Sequence, residues 1–283
     1  MPPIKKIGKQ RLICLFVMEQ VIELNGYRIF TKIEGTGRPL LLLHSYWGSH
    51  ILFDHLDSVL SVGMKVIRID LPGHGNSGIP PLEYTFEKFA DVLNELLNRL
   101  DVGEKVSIIG HSMGGYVAMA YAVKYPERIN SLVLMNSPIK AADIKSAKLR
   151  EREGRLLQKG KKDLLLQVTI PSNFATENLD SMRNALELLN RISDTVTIEG
   201  ALRSIYAINH RGNSLADLKN ARYPILIVIG KYDNVYKADA QLDDAYQIPN
   251  AEVLMLHHSG HLGFLEEEDL VVEKLGAFLV VNS

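Results

Sequence analysis

The chain has 283 residues, 46% of them hydrophobic and 23% charged, which fits one large folded domain and excludes a largely disordered chain. A formal net charge of -1 supplies no general pull toward nucleic acid or an anionic membrane, so neither is an expected partner. The single cysteine, Cys14, excludes an internal disulfide framework and a cysteine-based structural zinc site.

The chain opens with Lys5, Lys6, Lys9 and Arg11 ahead of a short apolar run, Leu12 to Met18. No small-x-small cleavage pattern follows, and the run is far too short to span a bilayer. Residues 1–17 are therefore read as an N-terminal extension, with Met1 or Met18 as the start of translation, and a cytoplasmic location is expected. From Met18 on, "VIELNGYRIF" carries an Asn-Gly hairpin signal between alternating segments. "RPLLLLHS" is a continuous apolar strand, the pattern of a strand buried on both faces. A helical stretch is expected over "HILFDHLDSVLS", then a strand running into a glycine-rich loop in "KVIRIDLPGHGNSG". Phe86, Phe89, Ala90, Leu93, Leu96, Leu97 and Leu100 recur at helical spacing behind Thr85, a fitting N-cap. "KVSIIG" is the next buried strand, "GGYVAMAYAVKY" a helix stopped by Pro126, and "INSLVLMNSP" another strand.

The alternation then breaks. Lys140 to Asn213 holds helix-like pieces and no convincing buried strand, too long a stretch for a plain connection. Strand and helix return in "YPILIVIGKYDNVY", "ADAQLDDAYQI", "AEVLMLHHSGH" and "EDLVVEKLGAFLV". The expectation is an α/β fold: a mostly parallel sheet of about eight strands, with helices on both faces. Residues 18–139 and 214–283 would form the core, and 140–213 an inserted helical cap.

Gly110-His111-Ser112-Met113-Gly114 matches G-x-S-x-G between a buried strand and a helix. That corner strains the backbone of its serine, and glycines two residues to either side remove the side chains that would collide. Ser112 is then held clear of the sheet at a helix N-terminus, where developing negative charge is favoured. A serine hydroxyl needs a base, and the base an orienting carboxylate, in the chain order serine, acid, histidine. Asp233 follows a buried strand through a short loop, and His261 lies in "SGHLGFLE" beside Gly260, which lets the loop turn. His257 and His258 are read as strand-end residues. Met113 N–H and Tyr46 N–H are the oxyanion donors of choice, with Ser45 as runner-up. His44 and His74 are expected to tie loop backbone together.

These segments resemble the α/β-hydrolase superfamily, in its capped, esterase-like form, from about Glu19 onward. The resemblance rests on "LLLHSYWGS", "DLPGHGNS", "GHSMGG", "GKYDNVY" and "SGHLGFLE". Two departures stand out: relatives usually have glycine where Ser45 stands, and often proline where Tyr236 stands. A serine at position 112 disfavours the aspartate-based dehalogenase and epoxide-hydrolase chemistries of similar folds. The resemblance implies a serine hydrolase without cofactor or metal, acting as monomer or homodimer on a small carboxylic ester or related acyl substrate through an acyl-enzyme. Thioester hydrolysis, C–C hydrolysis, perhydrolysis and a ligand receptor retaining the triad are the alternatives. Trp47, Met182, Leu186 and Tyr206 are candidate pocket residues, with Leu189 and Ile205 beside them. The basic run from Lys140 to Lys162 reads as a solvated helix face or as an attractor for an anionic substrate such as an acyl thioester.

Overall fold

The computed structural model describes residues 17–56, 60, 63–103 and 105–282. The expected N-terminal extension falls outside the described residues except for Val17, which begins the first strand. Strands β1 (Val17–Leu24) and β2 (Tyr27–Glu34) pair antiparallel, with Leu24 opposite Tyr27. Asn25 and Gly26 between them adopt φ of 51° and 81°, the left-handed pair that a two-residue hairpin of matching twist requires.

β2 pairs antiparallel with β4 (Met64–Ile69). The remaining neighbours are parallel: β3 (Arg38–Leu43), β5 (Val106–His111), β6 (Ile129–Met135), β7 (Ile225–Gly230) and β8 (Ala251–Leu256). The eight-stranded sheet runs β1-β2-β4-β3-β5-β6-β7-β8. The chain therefore leaves β3 toward one side for β4 and returns to its other side for β5. Such a reversal opens a crevice at the carboxyl ends of the strands.

The leucine run of β3 serves two cores at once. Leu41 and Leu43 join the layer containing α1 (Phe86–Arg99) and α2 (Met113–Lys124), while Leu40 and Leu42 join the opposite layer. Thr85 caps α1, its hydroxyl accepting Lys88 N–H at 3.2 Å. α7 (Leu215–Lys219) and α8 (Ala238–Ala245) cover the first face; α10 (Glu268–Val281) covers the second, and α9 (Gly263–Glu266) precedes it. The expected helix near His50 is a 3-10 helix, His50–Leu56, and most of the rest of that stretch lies outside the described residues.

Between β6 and β7 stand α3 (Ile144–Gln158), α4 (Lys162–Ser172), α5 (Arg183–Asp194) and α6 (Ile198–Asn209). This helical segment is anchored where backbone meets backbone. A Cβ on Gly200 would stand 2.5 Å from Gly73 O, and one on Gly73, at φ 84°, would stand 2.6 Å from Gly200 Cα. Only glycine allows that approach from both sides.

Candidate active site

Ser112 lies between β5 and α2 with φ 52° and ψ -114°, a conformation few non-glycine residues adopt. The surrounding glycines allow it. A Cβ on Gly110 would meet Gly114 O and Gly115 Cα at 2.6 Å, and one on Gly114 would meet Leu43 O at 2.0 Å. A third glycine is required: a Cβ on Gly115 would stand 2.1 Å from Ser137 Oγ. Ser112 N–H donates to Met135 O at 2.9 Å, pinning the corner to β6. The Ser112 hydroxyl makes no hydrogen bond among the described residues, and the residue is 5% exposed.

Asp233 follows β7 and is fully engaged. Its Oδ1 accepts Val235 N–H at 2.7 Å and Tyr236 N–H at 2.9 Å. Its Oδ2 accepts the Asn136 amide at 2.9 Å and lies 2.9 Å from His261 Nδ1. Burial alone would raise the Asp233 carboxyl, but the charge and hydrogen bond of His261, with Tyr236 N–H and Asn136, outweigh it and hold it below its ordinary value. Here the Tyr236 departure acquires a role, since a proline would have no N–H to give. Asn136, at φ 47°, donates to Gly260 O as well, at 3.4 Å.

His261 is 2% exposed, and its carbonyl accepts His111 Nε2 at 2.8 Å. Burial, followed by the nearby His261, lowers the His111 pKa to about 3, so its ring is a neutral donor. Gly260 serves a different purpose from the loop freedom expected of it. A Cβ there would stand 2.6 Å from Ala175 N and Phe174 C, so the glycine admits the helical segment against the His261 loop. Glu266 joins the two, accepting Ala175 N–H, the Asn178 amide and Gly260 N–H at 2.7 to 2.9 Å. Leu262 N–H adds a bond to Asn173 O at 3.0 Å.

After β3, Gly48 N–H donates to Ser45 O at 2.9 Å and Trp47 takes φ 63°, closing a β-turn. The turn leaves Tyr46 N–H outside its own hydrogen bond, and Met113 opens α2, where N–H groups have no helical acceptor. Neither N–H has a partner among the described residues. His44 ties this loop down, with Nδ1 2.8 Å from Ser45 O and Nε2 accepting Leu71 N–H at 2.8 Å. His74 Nδ1 lies 3.2 Å from Pro72 O. Burial lowers both pKa values, to about 4 and about 3.

A cavity of about 630 Å³ gathers Ser45, Tyr46, Trp47, Ser112 and His261 on one wall, with residues of α3 and α4 opposite. Leu149, Leu156, Leu164, Leu165 and Val168 supply its apolar lining. Of the expected pocket residues only Trp47 is there. Met182 and Leu186 instead pack against the second core, and Tyr206 is half exposed and stacked on His210 at 4.0 Å between ring centroids. A helical period marks an apolar face but not what that face meets. Leu189 and Ile205 are buried in the same core. His257 and His258 are exposed just past β8.

Several residues around the site carry no local signal: Asn136, His111 and Glu266, and the cavity-lining Arg211; Arg150, also in the lining, belongs to the basic run from Lys140 to Lys162. Arg150 Nη1 donates to Glu153 Oε2 at 2.9 Å, and its guanidinium lies 5.6 Å from the Tyr46 ring centroid. Burial works against the Arg150 charge, but Tyr236 and Glu153 outweigh it and raise its pKa. No group of three His, Cys, Asp or Glu side chains placed to hold a metal occurs among the described residues, and no helix among them is long and apolar enough to cross a membrane.

An uncharacterized protein of Mycobacterium tuberculosis is 35% identical over 113 residues, 40% of this chain but 33% of that protein. The chain thus spans a third of the length of the first curated relatives it matches. A protein named non-heme chloroperoxidase CPO-A1, from Kitasatospora aureofaciens, is 32% identical across 84% of this chain and 90% of its own. The solved structure of a thermophilic esterase from Thermogutta terrifontis superposes with a TM-score of 0.82 at 25% identity, covering 95% of this chain and all of that one. A family model described as alpha/beta hydrolase fold matches residues 38–268, the span that contains the strained Ser112 corner and the Asp233–His261 pair. By sheet order, corner geometry and family match together, the chain belongs to the alpha/beta hydrolase family.

Proposed function

We propose that the protein is a serine hydrolase that cleaves a small carboxylic ester through an acyl-enzyme. The observation carrying this reading is the 2.9 Å contact between His261 Nδ1 and Asp233 Oδ2, on a cavity wall shared with Ser112. Ser112 Oγ attacks the carbonyl carbon while His261 Nε2 takes the hydroxyl proton. Asp233 holds Nδ1–H and stabilises the imidazolium. The oxyanion accepts Met113 N–H and Tyr46 N–H, with the Ser45 hydroxyl as a further donor. The imidazolium gives its proton to the departing alkoxide. A water, deprotonated by His261, then attacks the acyl carbon, releasing the acid and restoring Ser112. Residues 140–213 act as the cap, α3 and α4 forming the roof over the acyl chain.

Changing Ser112 to alanine is expected to abolish turnover of short p-nitrophenyl esters and labelling by a fluorophosphonate, with the fold kept. Unchanged turnover would sink the proposal. The likeness to a protein named a chloroperoxidase favours one second reading, perhydrolysis. There hydrogen peroxide takes the place of water on the acyl-enzyme and leaves as a peracid. Peracid formation from an ester and peroxide, lost in the same alanine variant, separates the two.

A further inference from the structure

We propose that Arg211 receives an anionic group on the substrate, so that the preferred acyl chains end in a carboxylate away from the scissile bond. The substrate class rests on the acyl-transfer reading above; the anion site does not.

Arg211 lies just beyond α6 and lines the same cavity as Ser112 and His261. It is 9% exposed. Its guanidinium carbon stands 4.2 Å from the Tyr116 ring centroid, and Tyr116 lies one turn into α2 from Ser112. Nη1 donates to Ile208 O at 2.8 Å, while Nε is buried with no partner. Among the described residues Arg211 forms no ion pair. Arg211 also lines a smaller crevice with Glu87, but that carboxylate accepts Gly212 N–H at 3.2 Å and forms no ion pair with the guanidinium.

The other cavity arginines differ. Arg150 is matched by Glu153, and Arg152 is exposed at the rim. Arg211 alone of the three is a buried cation with no carboxylate, an arrangement that costs free energy unless a counterion arrives with a ligand. With Nη1 occupied, the Nε–Nη2 edge remains, and that edge fits the two oxygens of one planar carboxylate. Tyr46 lines the same cavity, and its hydroxyl is buried without a partner. The leucines lining the cavity suit the methylene chain joining ester to acid.

The test compares monoethyl succinate, adipate and suberate with ethyl butanoate, hexanoate and octanoate, which replace the terminal carboxylate by a methyl. The wild type is expected to favour the charged ester in kcat/KM for at least one pair. R211Q is expected to lower that charged-to-neutral ratio by about 10- to 100-fold, mainly through KM, the value of a hydrogen-bonded charge contact. R211K, keeping the charge without the fork, should fall between. A wild type that favours the neutral ester in every pair, or an R211Q ratio equal to wild type, overturns the proposal. Calorimetry with adipate decides the anion site without turnover: binding to wild type and not to a folded R211Q supports it, and no binding to wild type overturns it. Absent turnover and absent fluorophosphonate labelling would instead remove the acyl-transfer reading alone.

Discussion

The two walls of the cavity are held by different means. On the sheet-edge wall, backbone contacts fix the groups proposed to react: three glycines clear the Ser112 corner, and Asp233 takes two backbone N–H groups and two side chains. On the helical wall, side chains do most of the work. Leu164 and Val168 remain 55% and 69% exposed while lining the cavity, and Arg150 leans on Glu153 from its own helix. A Cβ added at these glycines would stand 2.0 to 2.6 Å from its neighbours, which tolerates no added atom, whereas a half-exposed leucine can change with little cost. Under the proposed mechanism the chemistry is thereby rigidly placed, and the lining that would meet a substrate is free to vary.

The sharpest break in that contrast is at Asp233. Asp233→Asn is expected to lower kcat by on the order of 10⁴-fold, because the amide favours the wrong imidazole tautomer. Steady-state ester kinetics read this directly, and a loss of tenfold or less would show that the acid is not needed there. Next in size is the response to acid. His44 and His74 lie in the loops after β3 and β4 and His111 ends β5, and burial keeps them neutral to about 4, 3 and 3. An unfolded histidine takes its proton near pH 6.5, so between there and pH 4 the unfolded chain holds up to three more protons than the folded one. Stability is therefore full above about pH 6.5 and falls as pH drops, by at most about 4 kcal/mol per pH unit. Asp233, with a depressed pKa, loses its contribution at lower pH, from the ordinary carboxylate value downward. Urea midpoints that stay flat from pH 7 to pH 5, a window chosen around the free-histidine value, would contradict the burial of these rings.

A pair of glycine variants tests the two walls side by side. Gly260→Ala forces a Cβ to 2.6 Å from Phe174 and Ala175 backbone and is expected to cost about 1–3 kcal/mol, lowering Tm and kcat together. Gly154→Ala, inside α3, first meets Leu202 Cδ2 at 3.4 Å, an ordinary contact. It should stabilise the protein by up to about 1 kcal/mol through helix propensity. Opposite signs in thermal melts uphold the contrast, and equal destabilisation removes it.

What could be read from the chain divides along the same line. The apolar runs of β3, β5 and β7 announce buried strands, and Asn25-Gly26 and Thr85 mark a turn and a cap by local chemistry alone. Ser112, Asp233 and His261, the proposed nucleophile, acid and base, can be picked out because each follows a strand end in a set order. The unread residues act across long separations: Asn136 reaches Asp233 over 97 residues, and His111 reaches His261 over 150. Gly260 stands out beside His261 in the chain, but its reason lies in Phe174 and Ala175, which no local pattern names. On the helical wall, Met182, Leu186 and Tyr206 share the amphipathic period of lining residues yet face the core or solvent.

The smallest expected effect is the one that isolates the helical wall. Leu164→Ala and Val168→Ala each remove a half-exposed side chain from the cavity lining. Water already reaches both residues, so the folded state loses little buried area and Tm should move by less than about 2 °C. A bound acyl chain would lose contact with one or two methylenes' worth of surface, at about 0.8 kcal/mol each when fully buried. The loss should therefore be about three- to tenfold in kcat/KM on an octanoate ester and absent on an acetate ester, which has no methylene chain. Equal losses on both esters would mean that α4 holds the Ser112 wall in place, making the two walls one mechanical unit; a loss confined to the long chain keeps substrate selection on the helices and chemistry on the sheet.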